Sequence, residues 1–510
     1  MSVPKVMGLE QEYGVAVTSR QNVEPMPQVQ AAFLLVNNCD RVHYGLWDYG
    51  CEAPFKSALH RRRDRPQVRI SEAENRLANK ALTNGARYYV DHAHPEYSTP
   101  ECLSTRDIIA CDKAGEGVLE RSRRRANEVL HGSHEIHVYK NNSDHKGNSY
   151  GCHENYTVDA HTYQQLFRET GLSQLVPFLV TRQIICGAGK VGQENSSVPR
   201  AGYQISQRAD FCETVFSIKT MSGRPLLNTR DEPHADRRRY RRLHLILGDA
   251  NMSEVSTYLK VGTTQLVLRM IEDHAITQHV LLNTPVQAVR DISRDTTCRA
   301  KVKLHDGRRL DAIEIQSAYV EMAHAYGATH TLNAEEQDVL QRWERTLRLL
   351  REDPMQLRRE LDWVIKKWLL EQQITRHGLD WTSPRLRQLD IQYHRIEPDK
   401  SLFYLLQNSG QVERVIDDAA IEHFLHHPPG DTRAYTRAMC LDKYGQSVWA
   451  VNWERVTFRL PDPQGASCQQ GTVQLPIPWR GSRAEHQTLF AQADTPAMFL
   501  QALRGLRRRR

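Results

Sequence analysis

Paired cysteines are the first thing this chain lacks. Its ten cysteines include no C-x-x-C spacing, so neither a zinc knuckle nor a dithiol redox motif is written into it. Scattered thiols suit a reducing compartment, and a cytoplasmic location is expected. No run of about 18 apolar residues occurs, and no apolar stretch follows the first charges; neither a membrane span nor a secretory leader is expected. Internal repeats and extended low-complexity tracts are also missing. Charge of one sign is only mildly in excess: 68 Lys and Arg against 61 Asp and Glu leave a net +7. At 510 residues the chain can bury a large core and hold two or three domains.

What is present is a set of ionisable residues at strand spacing. Arg87-Tyr88-Tyr89-Val90-Asp91 follows a Gly85 turn signal and reads as a strand. Side chains alternate along a strand, so Arg87, Tyr89 and Asp91 share one face. A guanidinium, a phenol and a carboxylate on one face are costly as core and useful as a site. Glu96 follows directly on Pro95. Gly8-Leu9-Glu10-Gln11-Glu12-Tyr13-Gly14 reads as a second strand, with Glu10 and Glu12 together on one face. Two carboxylates at that spacing repel unless a cation lies between them, and hard divalent cations prefer oxygen ligands. His153 and Asn155 repeat the same spacing in Tyr150-Gly151-Cys152-His153-Glu154-Asn155. Carboxylates, a histidine and arginines on several short strands suit a polyphosphate–Mg²⁺ site. Each segment alone has a bland reading as a solvated edge strand; their recurrence argues against it.

These motifs resemble the Pup ligase/depupylase family, which is related to glutamine synthetase and the γ-glutamyl-cysteine ligases. The resemblance rests on Gly8-x-Glu10-x-Glu12-Tyr13-Gly14, Arg87-x-Tyr89-x-Asp91 with His94-Pro95-Glu96-Tyr97, and Tyr150-Gly151-x-His153-Glu154-Asn155. It extends through Gln204 to Arg208, Asn228 to Asp236, Gly248 to Asn251, Asp431 to Tyr435 and Trp453, nearly the whole chain. Asp91-His92-Ala93-His94-Pro95-Glu96 and a long insertion between Tyr49 and about Asn79 are similar to the depupylase branch. The insertion departs from the branch pattern in its basic start, Phe55 to Arg63, and Cys152 stands where serine is more usual.

The resemblance implies an α+β fold: a glutamine synthetase-like large domain over 1–425, its curved, mainly antiparallel sheet cradling the site, and a small C-terminal domain over 426–510. It implies ATP and Mg²⁺ as cofactors, with Glu10, Glu12, Tyr89, Glu96 and His153 as candidate metal ligands. Arg87 and Arg208 would contact phosphate, and Thr99 and Trp453 the nucleotide, with the indole facing adenine. Arg230 and Arg433 would hold carboxyl groups of the modifier. Asp91 would act at the γ-carbonyl of the modifier's last residue, as nucleophile or as base. The activity implied is hydrolysis of the isopeptide bond between a Pup-like modifier and a substrate lysine, with deamidation of a terminal glutamine. Partners would be the modifier, pupylated proteins and a bacterial proteasome system, without nucleic acid or membrane. A Pup ligase is the nearest alternative; an ATP-dependent ligase of small amines and a non-catalytic nucleic-acid binder lie farther off.

Organisation is read more coarsely. Lys301 to His305, the Asp306-Gly307 turn and Arg308 to Ile315 predict a hairpin. Asn333 predicts a helix start, with Val339, Trp343, Leu347 and Leu350 on one stripe. After Pro354 a second helix is expected to carry Leu357, Leu361, Val364 and Trp368. A strand is expected at Val456 to Phe458. Basic clusters at Arg61 to Arg63, Arg121 with Arg123 to Arg125, Arg237 to Arg242 and Arg507 to Arg510 would steer an acidic partner or be solvated surface.

Overall fold

A computed structural model describes residues 2–40, 42–43, 45–59, 70–194, 202–461 and 468–508. Its centre is a seven-stranded sheet in the spatial order Tyr240–Leu245, Cys152–Asp159, Met7–Glu12, His94–Ser98, Arg87–Asp91, Asn79–Leu82, Val42–His43. All its neighbouring strands run antiparallel. Period-two sequences build it: Met7, Leu9 and Gln11 point into the core, while Glu10 and Glu12 face the other way, half-buried. The core face is rich in tyrosine, with Tyr88, Tyr97 and Tyr156 at most 1% exposed. Burying each such ring removes enough apolar surface to contribute roughly 2–3 kcal/mol.

Two helices, Thr105–Val129 and Glu254–Glu272, cover that face. Ser104 caps the first, its hydroxyl accepting from the Arg106 and Asp107 amides. The helix lies close to the sheet because residue 115 is glycine: a Cβ there would stand 2.5 Å from the Tyr97 ring. With both helices on one side, the opposite face of the sheet is left for polar groups.

The expected α+β class is observed. The helix from Asn333 forms as Ala334–Glu352, with a capping box between Asn333 and Glu336, and Val339, Trp343, Leu347 and Leu350 are all buried. Two expectations need correction. The hairpin is shorter than predicted, with strands only at Val302–Lys303 and Arg309–Leu310. Asp311 and Glu314 form a capping box that starts the helix Ala312–Thr329. After Pro354 comes a single 3₁₀ turn, Pro354–Leu357, and the next helix begins at Asp362. Trp363, not Trp368, is the fully buried indole of that helix, donating to the Ile184 carbonyl at 2.9 Å.

Past residue 430, the helix Arg433–Tyr444 leads into a sheet of Val448–Val451, Arg455–Pro461 and Cys468–Gln474 around its own apolar cluster. The strand expected at Val456 to Phe458 lies inside it. Leu46–Trp47 adds a fourth strand, parallel to Val448–Val451, so a segment far upstream in the chain completes this sheet. Of the basic clusters, Arg121, Arg123, Arg124 and Arg125 are each spent on an acid of the same chain, Arg123 on Glu120 at 2.7 Å and Arg125 on Asp40 at 3.3 Å. Arg61 to Arg63 and the side chains of Arg507 to Arg510 lie outside the described residues.

Candidate active site

The polar face of the sheet collects alternate residues from five adjacent strands. Register sets Glu10 opposite Ser98 on one neighbour and His153 on the other, and Glu12 opposite Glu96. Tyr89 pairs with Glu96, and Arg87 with Ser98. Two groups of potential metal ligands result. Oxygens of Glu12, Asp91 and Glu96 lie within 4.8 Å of one another, and so do ligand atoms of Glu10, His153 and His244.

The carboxylate trio is electrostatically unhappy by itself. Burial, with the charges of Asp91, Glu12 and Glu10, pushes the Glu96 carboxyl well above its usual range, though a hydrogen bond from Tyr89 opposes this. Asp91 moves the other way: its burial is outweighed by a hydrogen bond from His92 and by the positive potential of His153 and Arg230. His92 Nδ1 lies 3.1 Å from Asp91 Oδ1, and His92 occupies the left-handed region at φ 53°. Asp91 is thus an ionised, partly exposed carboxylate at the end of its strand. A divalent cation among these oxygens would relieve the repulsion, and hard oxygen ligands suit Mg²⁺.

The second group is nitrogen-rich. His153 Nδ1 is 3.3 Å from Glu10 Oε2, and its Nε2 is 3.9 Å from Glu12 Oε1, so the ring sits between the two groups. Gly151 makes room for it, because a Cβ there would come within 2.2 Å of His153 Nε2. Burial opposes ionisation of Glu10, but the His153 hydrogen bond and the charge of Arg242 win and hold its carboxyl well below the usual range. One Arg242 nitrogen lies 2.6 Å from Asn155 Oδ1, 3.2 Å from Glu10 Oε1 and 3.1 Å from His244 Nδ1. His244 Nδ1 also lies 3.0 Å from Asn155 Oδ1; in the tautomer that donates there, Nε2 carries the lone pair. That atom is buried without a hydrogen-bond partner among the described residues, and burial together with Arg242 keeps the ring neutral. A neutral buried imidazole with a free lone pair fits a metal ligand.

Alongside Glu10 opens a solvent-connected pocket lined by Gly8, Thr99, Glu101, His234, Arg433 and Trp453, among others. Thr99 Oγ1 accepts from the Leu9 amide at 3.0 Å. Trp453 stands edge-on to Trp47, with ring centroids 5.3 Å apart. An apolar floor, one indole and a rim of arginines suit a nucleotide whose phosphates reach toward the metal groups.

The arginines divide by position. Arg87 is stacked between Trp47 and Tyr89, at 4.2 and 3.8 Å from the ring centroids, and donates to Asn79 Oδ1 and to Glu52 Oε1 at 3.2 Å. Arg208 is buried and donates to the Tyr150 carbonyl. It lies close enough to Arg224 that burial and this like charge lower the Arg224 guanidinium to about 10. Arg230 faces Asp91. Arg433 does not join it: it lines the pocket with Thr99 and Trp453 and pairs with Glu101 at 2.8 Å. Sequence reading did not single out His244, Arg242, Arg224 or Glu101. Arg242 was hidden inside a basic run, yet Tyr240 to Leu245 alternates like the other strands and carried the signal.

A family model described as Pup-ligase protein matches residues 5–457. A depupylase of Acidothermus cellulolyticus is 44% identical over 98% of this chain and 99% of its own length. A Pup deamidase/depupylase of Mycolicibacterium smegmatis is 39% identical over the same shares. The solved structure of the Pup ligase PafA in complex with ADP superposes with a TM-score of 0.72 at 35% identity, covering 86% of this chain and 98% of that one. The chain belongs to the Pup-ligase protein family.

Proposed function

We propose that this protein is a depupylase and Pup deamidase that uses Mg²⁺ and ATP as cofactors. It would hydrolyse the isopeptide bond between the C-terminal glutamate of a Pup-like modifier and a substrate lysine, and convert a terminal glutamine to glutamate. The observation that carries the reading is the ionised Asp91 at the edge of a carboxylate group, with Arg230 behind it. End-to-end similarity to proteins named as depupylases supports the branch.

Glu12, Asp91 and Glu96 would hold one cation, and Glu10, His153 and His244 a second. Such cations, when bound, neutralise phosphate and developing carbonyl charge. The pocket beneath Trp453 would take the adenosine portion, with Thr99 at its wall. Arg208 and Arg224 supply positive potential on the far side of Glu12. Asp91 acts at the γ-carbonyl carbon, and Arg230 steadies charge building on the carbonyl oxygen. Asp91 either attacks that carbon or removes a proton from the attacking water; hydroxylamine would trap an acyl–Asp91 species only in the first case. The division at about residue 425, a cytoplasmic location and a link to a bacterial proteasome system belong to the same reading.

The test joins a Pup-like modifier by an isopeptide bond to a lysine reporter and adds enzyme, Mg²⁺ and ATP. Reporter release without matching ADP formation is expected. Conjugation of free modifier with stoichiometric ADP would make the protein a ligase instead.

A further inference from the structure

Glu101 lies two residues past Thr99, where the chain leaves the strand His94–Ser98, and none of the roles above uses it. Its carboxylate is the hub of a buried junction. Arg433 Nε donates to Oε1 at 2.8 Å, and Arg437 donates to both oxygens, at 3.0 and 2.5 Å. Arg433 and Arg437 are only 3% and 2% exposed. Burial would raise the Glu101 carboxyl, but the two guanidinium charges outweigh it and lower the group to about 2. The main chain joins in, since Thr432 Oγ1 donates to the Glu101 carbonyl at 2.8 Å.

Arg437 carries this junction to the pocket wall. Its remaining donors reach the Trp453 carbonyl at 3.0 Å and the Gly85 carbonyl at 2.7 Å. Its guanidinium carbon lies 5.0 Å from the centroid of the Trp453 ring. Arg433 donates to the Leu475 carbonyl at 2.9 Å. Glu101, through its carbonyl and its carboxylate, thus ties three points of the C-terminal segment to the sheet side: the helix start at Thr432, the Trp453 turn and Leu475 at the strand end. The pocket is walled on one side by residues 6–10, 98–99 and 155–157, and on the other by Arg433, Trp453 and Pro478. Its two walls are held together through Glu101.

We propose that Glu101, acting through Arg433 and Arg437, is a positioning residue for the nucleotide: it sets the distance between Trp453 and the Thr99 wall, and so the fit of the base. The proposal rests on the reading that this pocket takes ATP. Neither guanidinium is needed at the reacting carbonyl, so the junction acts on nucleotide affinity and not on the chemical step.

Arg437→Lys tests this, because lysine keeps the charge but cannot span Glu101, Gly85 and Trp453 together. The expected result is a KM for ATP raised about tenfold, equivalent to about 1.4 kcal/mol. At saturating ATP, kcat should stay within about twofold, and the Kd for ADP by calorimetry should rise in parallel with KM. Glu101→Asp, which shortens the hub while keeping its charge, should move both constants the same way and guards against a variant that does not fold. Unchanged KM and Kd beside a lowered melting temperature would reduce the junction to a structural tie and overturn the proposal. A fall in kcat at saturating nucleotide would also overturn it. If the wild-type protein binds no ADP, the ATP reading itself fails; wild-type binding with unaltered variants sinks only the positioning role.

Discussion

At the scale of single residues, the site is a problem in placing charge. Asp91 stays ionised although partly buried, because His92, His153 and Arg230 outweigh its burial. Asp91→Asn keeps the shape and removes that charge, so turnover should fall about 10³-fold while ADP affinity changes little. Reporter cleavage and calorimetry on one preparation check both halves; full activity would take the catalytic role away from Asp91. His244 poses a second question. Its Nε2 has no partner among the described residues, and His244→Gln should raise the divalent-cation concentration needed for half-maximal activity by about 10- to 100-fold. An unchanged metal titration would move the second cation elsewhere. The sequence made Asp91, Glu10 and His153 legible because each stands at i, i+2 from another polar residue on a short strand. His244 escaped because only Arg242, at the end of a run of arginines, shares its face, and such runs are usually solvated.

At the scale of elements, alternation was the steadier guide: the Asn333 cap marks a true helix start, whereas the boundaries near Asp311 and Asp362 were missed. Met7–Glu12, Arg87–Asp91 and Cys152–Asp159 all turn the residues foreseen to the site face. The hairpin was overextended because Ile313 and Ile315 continue an apolar alternation, while the Asp311 and Glu314 cap decides for helix. Trp363 and Trp368 are five apart, so they cannot share one helix face, and the 3₁₀ turn chooses the phase. Arg87 illustrates what pattern cannot supply. Beside the phosphate contact expected of it, its guanidinium lies over Trp47 and Tyr89 and donates to Asn79, tying the Arg87–Asp91 strand to both its neighbour and the C-terminal sheet. Arg87→Lys should therefore lower the stability of the nucleotide-free protein by about 1–2 kcal/mol through the lost stack and fork. Thermal unfolding without ligand measures it; a changed nucleotide affinity at unaltered stability would leave Arg87 to the phosphates alone.

At the scale of the whole molecule, the meeting of the C-terminal segment with the rest is both a binding site and a titration device. Glu101 and Asp107 stand six residues apart and are shifted in opposite senses. Glu101, lowered to about 2, gives stability that is complete above its ordinary range near 4.5 and is lost as pH falls toward 2. Asp107 is raised to about 6 by burial and by Asp431 and Glu335. Between about 4 and 6 the folded state therefore holds more protons than the unfolded chain, and stability falls as pH rises through that window. Asp107→Asn should raise the melting temperature at pH 7.5, by the equivalent of about 1 kcal/mol given its partial exposure, and do little at pH 4. An equal effect at both pH values would mean that Asp431 and Glu335 do not act on it. Ligand should work through the same boundary: Mg²⁺–ATP at 100 times its Kd should add about 2.7 kcal/mol to the folded state. A melting temperature indifferent to nucleotide would show that the pocket is not its site.

The register of the central sheet has a consequence for how such a chain can change over time. Every site residue on Met7–Glu12, Arg87–Asp91, His94–Ser98 and Cys152–Asp159 alternates with one that faces the core. Adding or deleting a single residue inside any of these strands would exchange the two sets, sending carboxylates inward and tyrosines outward. Length variation is therefore confined to the connections. The long stretch between Tyr49 and Asn79 enters at such a connection, where a change of length leaves the register of every site strand intact.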